Sequence, residues 1–325
     1  MEKVKWGVLG TAGILSCTGI GMQKAEHCIP YAIAGRDEAK TNEYAKKYGF
    51  EKTYLSYDEL LSDEEVEAVY IPLPNNLHYE WTIAALKKGK HVLCEKPIAE
   101  SAEVAEKMYE VAKENGVYLM EAFAYQHSPY IEALSNEIKS GAIGDITFID
   151  TAFITTFYDK SNIRMRKEMF GGSAYDLGVY GSSFILRFIE DEIKDIKAVA
   201  TFSDEKVDLY THAVIEFESG KTAAFTCGML YEPETNNRHD RFEIMGTKGY
   251  IRSGIYQYNL SGKMSYEVYT DEGVRVVEMD VEDNYGLEVE QLSKCVRGEA
   301  VPYVTKEFSI RNAKVIDAVL EAIGY

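Results

Sequence analysis

The chain has 325 residues, and 53 Asp and Glu against 35 Lys and Arg leave a formal net charge of −18. With 46% hydrophobic and 27% charged residues it has the composition of a folded globular protein, not a disordered one, and its length suits two domains. The acidity excludes a sequence-independent grip on nucleic acid and a polybasic membrane anchor, because both need a cationic surface. Residues 1–122 hold 14 basic and 20 acidic side chains and residues 123–325 hold 21 and 33, so the acidity is spread evenly and reads as solubility, not as a partner signal. What remains is a protein that handles small molecules. No apolar run approaches the roughly 18–20 residues of a membrane helix. Met1-Glu2-Lys3-Val4-Lys5 leads into a strand-like run with no secretory apolar core. Cys17, Cys28, Cys94, Cys227 and Cys295 are odd in number, far apart and without a C-x-x-C pair. They predict reduced thiols in a cytoplasmic protein, with no disulfide framework and no metal site.

Taken in order, residues 5–9 read as a strand ending in Gly10, 14–25 as a helix and 29–34 as a second strand. Asp37 is a candidate N-cap for a helix to Tyr48. Residues 66–71 form the next strand, closed by Pro72 and Pro74. A helix over 77–88 follows, with Gly89 as its stop. Residues 91–94 are a strand, 101–115 a helix and 117–122 a fifth strand. Strands alternating with helices of this length predict parallel βαβ units in a doubly wound sheet. After residue 123 the pattern changes. Residues 131–140 and 174–188 read as helices. Short β runs, among them 213–217, 222–227, 242–245 and 274–279, are separated by turn residues, which predicts a mostly antiparallel sheet. Two helices near 285–297 and 309–323 close the chain; in the last, Ile316, Val319, Leu320 and Ile323 form one apolar stripe. The fold class is therefore α/β, with domains expected over 1–122 and 123–325.

Two stretches point to a dinucleotide. Gly10-Thr11-Ala12-Gly13-Ile14 sits where the first strand turns into the first helix, the place for backbone N–H groups to face a pyrophosphate. Ala12 and Leu15 occupy the second and third positions of G-x-G-x-x-G, so the motif alone is weak. The second strand ends Ala34-Gly35-Arg36-Asp37. Gly35 stands where an NAD-preferring fold places an acid for the ribose hydroxyls, and the Arg36 guanidinium suits a 2′-phosphate. We expect NADP(H) in preference to NAD(H); the alternatives are that Arg36 stacks on adenine or that Asp37 serves as the acid.

Two further stretches point to proton transfer. Glu95-Lys96-Pro97 follows the fourth strand of the alternating pattern, at the ligand end of the sheet, where a lysine can bond a substrate oxygen; a plain turn is the alternative. Gly171-Gly172-Ser173-Ala174-Tyr175-Asp176-Leu177-Gly178-Val179-Tyr180 starts a helix with Asp176 and Tyr180 four residues apart on one face. A tyrosine beside a lysine can act as a general acid, because the cation stabilises the phenolate. By composition alone, Tyr180 is one of 24 tyrosines and a core residue.

With these motifs in place, the sequence resembles the glucose–fructose oxidoreductase / inositol dehydrogenase family of NAD(P)-dependent dehydrogenases over essentially its whole length. The carriers are residues 6–12, 71–78, 94–97, 120–129 and 171–180. The tyrosine at 180 and Met120-Glu121-Ala122-Phe123 look closest to the dimeric dihydrodiol dehydrogenase and xylose dehydrogenase branch. The resemblance implies a Rossmann domain followed by an α/β substrate-binding and oligomerisation domain. It implies that Gly10, Thr11, Ala12 and Ile14 line the pyrophosphate and that Arg36 meets the adenosine ribose or its phosphate. Pro74, Asn75 and His78 would lie along the cofactor, with a structural helix start as the alternative for His78. Glu95 and Lys96 would flank the nicotinamide, Asp176 would orient substrate and Tyr180 would exchange the proton. Leu15 and Gln126 depart from the family pattern. The implied reaction transfers a hydride to or from a secondary alcohol or carbonyl of a sugar, polyol or trans-diol. The alternatives are a redox-neutral glycoside cleavage with retained cofactor and a non-catalytic cofactor-binding regulator. Specificity is expected in loops near 123–130, 156–170 and 230–240. A homodimer or dimer of dimers is expected through the sheet, near 213–227 and 266–279.

Overall fold

A computed structural model describes residues 2–155, 161–229, 238–253 and 261–325. The parts of the expected specificity loops at 156–160 and 230–237 lie outside the described residues. The chain forms two compact units, Met1–Ser128 with Asp283–Ile310, and Pro129–Glu282 with Arg311–Tyr325.

The first unit is built from β1 (Val4–Leu9), α1 (Leu15–Lys24), β2 (Cys28–Ala34), α2 (Glu38–Tyr48), β3 (Lys52–Tyr54), α3 (Tyr57–Ser62), β4 (Ala68–Ile71), α4 (His78–Lys87), β5 (His91–Glu95), α5 (Ala102–Glu114) and β6 (Leu119–Ala122). The described strands form one parallel sheet in the order β3-β2-β1-β4-β5-β6. The order reverses beside β1, which opens a ligand crevice at the carboxyl ends of β1 and β4. Local chemistry sets the helix ends, with Asp37 as the expected cap of α2. Asp37 accepts from the Lys40 N–H at 3.0 Å, Gly49 ends α2 in the left-handed conformation, and Ser101 caps α5. β3 and α3 were not foreseen: Lys52 and Thr53 are exposed, and Lys52 and Tyr54 are tied to Asp63 beyond α3 at 2.9 and 2.7 Å.

The second unit contains α6 (Pro129–Lys139), β7 (Ile146–Thr155), a π-helical turn (Ala174–Gly178), α7 (Val179–Phe188), β8 (Ile193–Phe202), β9 (Asp208–Phe217), β10 (Thr222–Gly228), β11 (Arg238–Gly246), β12 (Gly249–Ser253), β13 (Gly262–Thr270) and β14 (Gly273–Val281). Its sheet runs β14-β13-β12-β11-β7-β10-β9-β8, antiparallel at every described pairing except β7 with β10. One face packs on α7: the Phe184 and Phe242 rings lie 4.6 Å apart, and a Cβ at Gly181 would stand 2.9 Å from that of Phe225. The register places Val199, Val214, Val274 and Val276 together on the other face, all exposed. The helix expected over 174–188 is instead a π turn continued by α7.

The chain then forms α8 (Asn284–Val296) and α9 (Lys306–Ile323). The sequence reading keeps 123–325 together, whereas Asp283–Ile310 packs into the first unit. Trp6 Nε1 donates to Ser293 Oγ at 2.9 Å, and Arg297 bonds both carboxylate oxygens of Glu67 at 2.7 and 2.8 Å. A Cβ at Gly21 would stand 2.6 Å from the Gly286 nitrogen, so α1 and α8 meet backbone to backbone.

Candidate active site

In the first unit the turn after β1 is tight. Gly10 has φ +105°, donates to Ala34 O at 2.7 Å, and a Cβ there would press on Leu73 at 3.0 Å. α1 starts at Leu15, and the turn before it takes up its first N–H groups: Leu15, Ser16 and Cys17 donate to the carbonyls of Ala12, Gly13 and Ile14 at 3.2, 3.0 and 2.8 Å. Thr11, Ala12 and Ile14 are half-buried; Gly13 is exposed, with open space where a side chain would project. A glycine turn of this form, at the carboxyl end of the first strand, could hold a pyrophosphate. At the end of β2, a Cβ on Gly35 would stand 2.3 Å from Thr41 Oγ1 and 3.1 Å from Thr11 Cγ2. An acid at 35 has no room, whereas Arg36 beside it is exposed. Burial raises the Tyr57 phenol, and the Arg36 charge opposes it.

The loops after β4 and β5 are joined by His78. It is fully buried, and its ring nitrogens lie 2.8 Å from Leu73 O and 2.8 Å from Pro97 O. His78 thus braces the loop carrying half-buried Pro74 and Asn75 against the one carrying Lys96, whose bond to Pro97 is cis. Burial holds its pKa below the ordinary histidine value.

Glu95 accepts from the Tyr70 hydroxyl and, at 3.3 Å, from the Lys96 N–H; Thr18 donates in turn to Tyr70 at 3.1 Å. Behind Glu95 stand two acids to which sequence reasoning gave no role. Glu121 is buried, accepts from the Ile98 N–H at 3.0 Å, and burial, with the Glu95 charge adding, pushes it up to about 7. Glu288 on α8 is fully buried, neither oxygen has a hydrogen-bond partner, and burial and Glu95 push it well above the carboxylate range. Single acidic letters within apolar patterns carry no signal of burial; the tertiary fold supplies it. Gln126, the departure noted above, is buried and donates to the Tyr125 hydroxyl at 2.6 Å.

In the second unit the π turn carries Asp176 and leads into Tyr180. π turns are rare and recur at functional sites. Asp176 is 8% exposed and accepts from Arg164 Nε at 2.7 Å. Tyr180 is equally buried, and its ring lies 5.2 Å from that of Phe153, over which the Arg238 guanidinium stands at 4.4 Å. Arg238 pairs with the buried Asp240. Arg164 and Arg238 were not anticipated from the sequence. The first unit thus assembles Gly10–Ile14, Arg36, Pro74, Asn75, His78, Glu95 and Lys96, and the second assembles Asp176 and Tyr180.

Comparison with known proteins places these features in a family. Residues 4–123 match the GFO_IDH_MocA oxidoreductase family, NAD-binding Rossmann fold, and residues 131–252 match the GFO/IDH/MocA C-terminal domain. D-xylose 1-dehydrogenase (NADP(+)) 2 of Haloferax volcanii is 33% identical over 98% of this chain and 96% of its own length. Trans-1,2-dihydrobenzene-1,2-diol dehydrogenase of Xenopus laevis is 27% identical over 98% of each. The 3-ketoreductase KijD10 of Actinomadura kijaniata, solved with NADP and TDP-benzene, superposes with a TM-score of 0.91 at 26% identity, covering 99% of this chain and 98% of that one. The parallel six-stranded unit, its glycine turn and this end-to-end likeness give one conclusion: the chain belongs to the GFO/IDH/MocA family of oxidoreductases with an NAD-binding Rossmann fold.

Proposed function

We propose that the protein is an NADP(H)-preferring dehydrogenase or reductase acting on a secondary alcohol or carbonyl of a sugar, polyol or trans-diol. The observation that carries the cofactor preference is Gly35, where Thr41 and Thr11 leave no space for an acid and the neighbouring Arg36 is exposed. The substrate class rests on the relatives, whose names specify a xylose, a dihydrodiol and a deoxysugar ketone. When bound, the dinucleotide supplies the hydride acceptor or donor. Gly10, Thr11, Ala12 and Ile14 hold the pyrophosphate, and Arg36 meets the 2′-phosphate. Pro74 and Asn75 run toward the nicotinamide, held in place by His78. Glu95 flanks the nicotinamide ribose, Lys96 bonds the reacting oxygen, Asp176 orients the substrate, and Tyr180 takes or returns the hydroxyl proton. Variants of the ketoreductase have been solved in which a lysine becomes alanine and a tyrosine becomes phenylalanine, the two residue types assigned here to proton transfer.

A cytoplasmic location fits the free state of all five cysteines and the absence, among the described residues, of a helix long and apolar enough to cross a membrane. A homodimer or dimer of dimers would cover Val199, Val214, Val274 and Val276; light scattering showing only monomer at micromolar concentration refutes it. The main test is a screen of aldoses, polyols and trans-diols that reads NADPH and NADH absorbance. Lys96→Ala and Tyr180→Phe each lower kcat by about 10²–10⁴-fold, the scale of general acid–base catalysis. Near-normal turnover in both variants refutes the assignment.

A further inference from the structure

The second unit holds a buried carboxylate that no motif and no reaction step accounts for. Asp208 opens β9 and is fully inaccessible to solvent. Its Oδ2 accepts from Ser173 Oγ at 2.6 Å, Thr211 Oγ1 at 2.6 Å and the Ala174 N–H at 2.8 Å. Two of the three donors are consecutive residues at the entry to the π turn. Oδ1 has no hydrogen-bond partner and lies against Gly172, where a Cβ would stand 2.0 Å from it. Gly172 also has φ +99°, a conformation that only glycine adopts at low cost. Cys227 Sγ donates to Ser173 Oγ at 3.5 Å, and the Asp176 N–H donates back to Gly172 O at 3.1 Å.

These contacts account for the form of the motif. Gly172 yields space to the carboxylate, and Ser173 and Ala174 grip it. The three donors converge on Oδ2. Burial pushes the carboxyl above its ordinary range, while Ser173, Thr211, the Ala174 N–H and its own backbone N–H pull it down. π turns are rare, and here Ser173 and Ala174 tie the entry of this one to β9 through Asp208.

We propose that Asp208 is a positioning residue for the reaction: its grip on Ser173 and Ala174 fixes the π turn and so the places of Asp176 and Tyr180. This rests on the roles proposed above for those two residues. It assigns Asp208 no contact with substrate or cofactor.

The test uses the full-length protein and whichever member of the aldose, polyol and trans-diol panel is turned over. Asp208→Asn, Thr211→Val and Ser173→Ala are compared for Tm, for the NADPH Kd by fluorescence titration, and for kcat and KM per NADPH-binding molecule well below Tm. Asp208→Asn leaves the NADPH Kd unchanged and lowers kcat per competent molecule by about 10–100-fold, the effect of displacing a reacting group by a fraction of an ångström to an ångström. Thr211→Val and Ser173→Ala give smaller losses in the same direction and carry the test if Asp208→Asn does not fold. A lowered Tm with unchanged kcat per competent molecule overturns the proposal, because Asp208 is then only a stabilising residue. Tyr180→Phe runs in parallel. If it retains turnover, the reaction roles fail and this inference with them. If it loses turnover while the anchor variants keep theirs, the inference alone fails. No turnover of any panel member overturns the reading on which both depend.

Discussion

Replacing Glu121 by Gln isolates the energetic effect of a buried acid beside the lysine loop. Glu121 lies in β6, opposite Cys94 of β5. Its Oε1 accepts from the Ile98 N–H at 3.0 Å. Burial and the Glu95 charge push it from an ordinary 4.5 to about 7, against the pull of Ser309, Ile98 and Lys96. The sign follows from linkage. Below pH 4.5 the folded and unfolded chains both carry the proton, and the stability from this group is complete. As pH rises from 4.5 through 7, the unfolded chain gains by ionising while the folded chain holds its proton, so stability falls; above 7 the loss is constant. A tenfold change in proton affinity corresponds to about 1.4 kcal/mol, so the interval between 4.5 and about 7 amounts to about 3 kcal/mol. Glu121→Gln keeps an oxygen for the Ile98 N–H and has no proton to lose. Urea unfolding of both proteins between pH 4 and pH 8 therefore shows a stability difference that moves in favour of the variant by about 3 kcal/mol, with equal m-values. A difference that is flat across that range refutes the reasoning. So does one that moves the other way, because Glu121 would then be ionised and paired in the folded chain.

Other perturbations separate the cofactor reading from the packing. Arg36→Ala raises the KM for NADP by about 10–100-fold, the loss of a charge-assisted bond to phosphate, and leaves the KM for NAD unchanged; equal effects on both cofactors refute the assignment. Gly21→Ala sets an intrinsic helix gain of about 1 kcal/mol against a backbone clash with α8 at 2.6 Å. Overpacking of this kind costs about 1–3 kcal/mol, so urea unfolding reads a net loss of stability. A neutral or stabilised variant refutes the close approach of α1 and α8.

The legible parts of the fold were those written in local chemistry. Asp37, Gly89 and Ser101 mark helix ends through bonds to their own neighbours, and β1 to Gly10 to α1 is a contiguous signal. What escaped depends on distant partners. β7 is central to its sheet, yet its alternation is broken by Thr151, a polar residue fully buried beside Ile149 and Phe153 that donates to Arg241 O of β11 at 3.1 Å. The π turn over Ala174–Gly178 has the letters of an ordinary amphipathic helix; its geometry is anchored by Asp208, 35 residues beyond Ser173. His78 was legible as a motif member, but its two carbonyl partners show a brace between loops that spacing alone does not reveal. Arg164 was legible only as a charge, since nothing in the sequence joins it to Asp176.

The return of residues 283–310 to the first unit bears on how the protein is made. Trp6 leaves the ribosome 287 residues ahead of its indole partner Ser293. At synthesis rates of roughly 5–20 residues per second, β1 waits about 15–60 seconds for the helix that covers it. During that time the Trp6 edge and the Gly21 face of α1 are unclosed apolar surface on a nascent chain. α8 is thus a late-arriving clasp that couples completion of the first strand of the dinucleotide-binding unit to production of the 287 residues between Trp6 and Ser293.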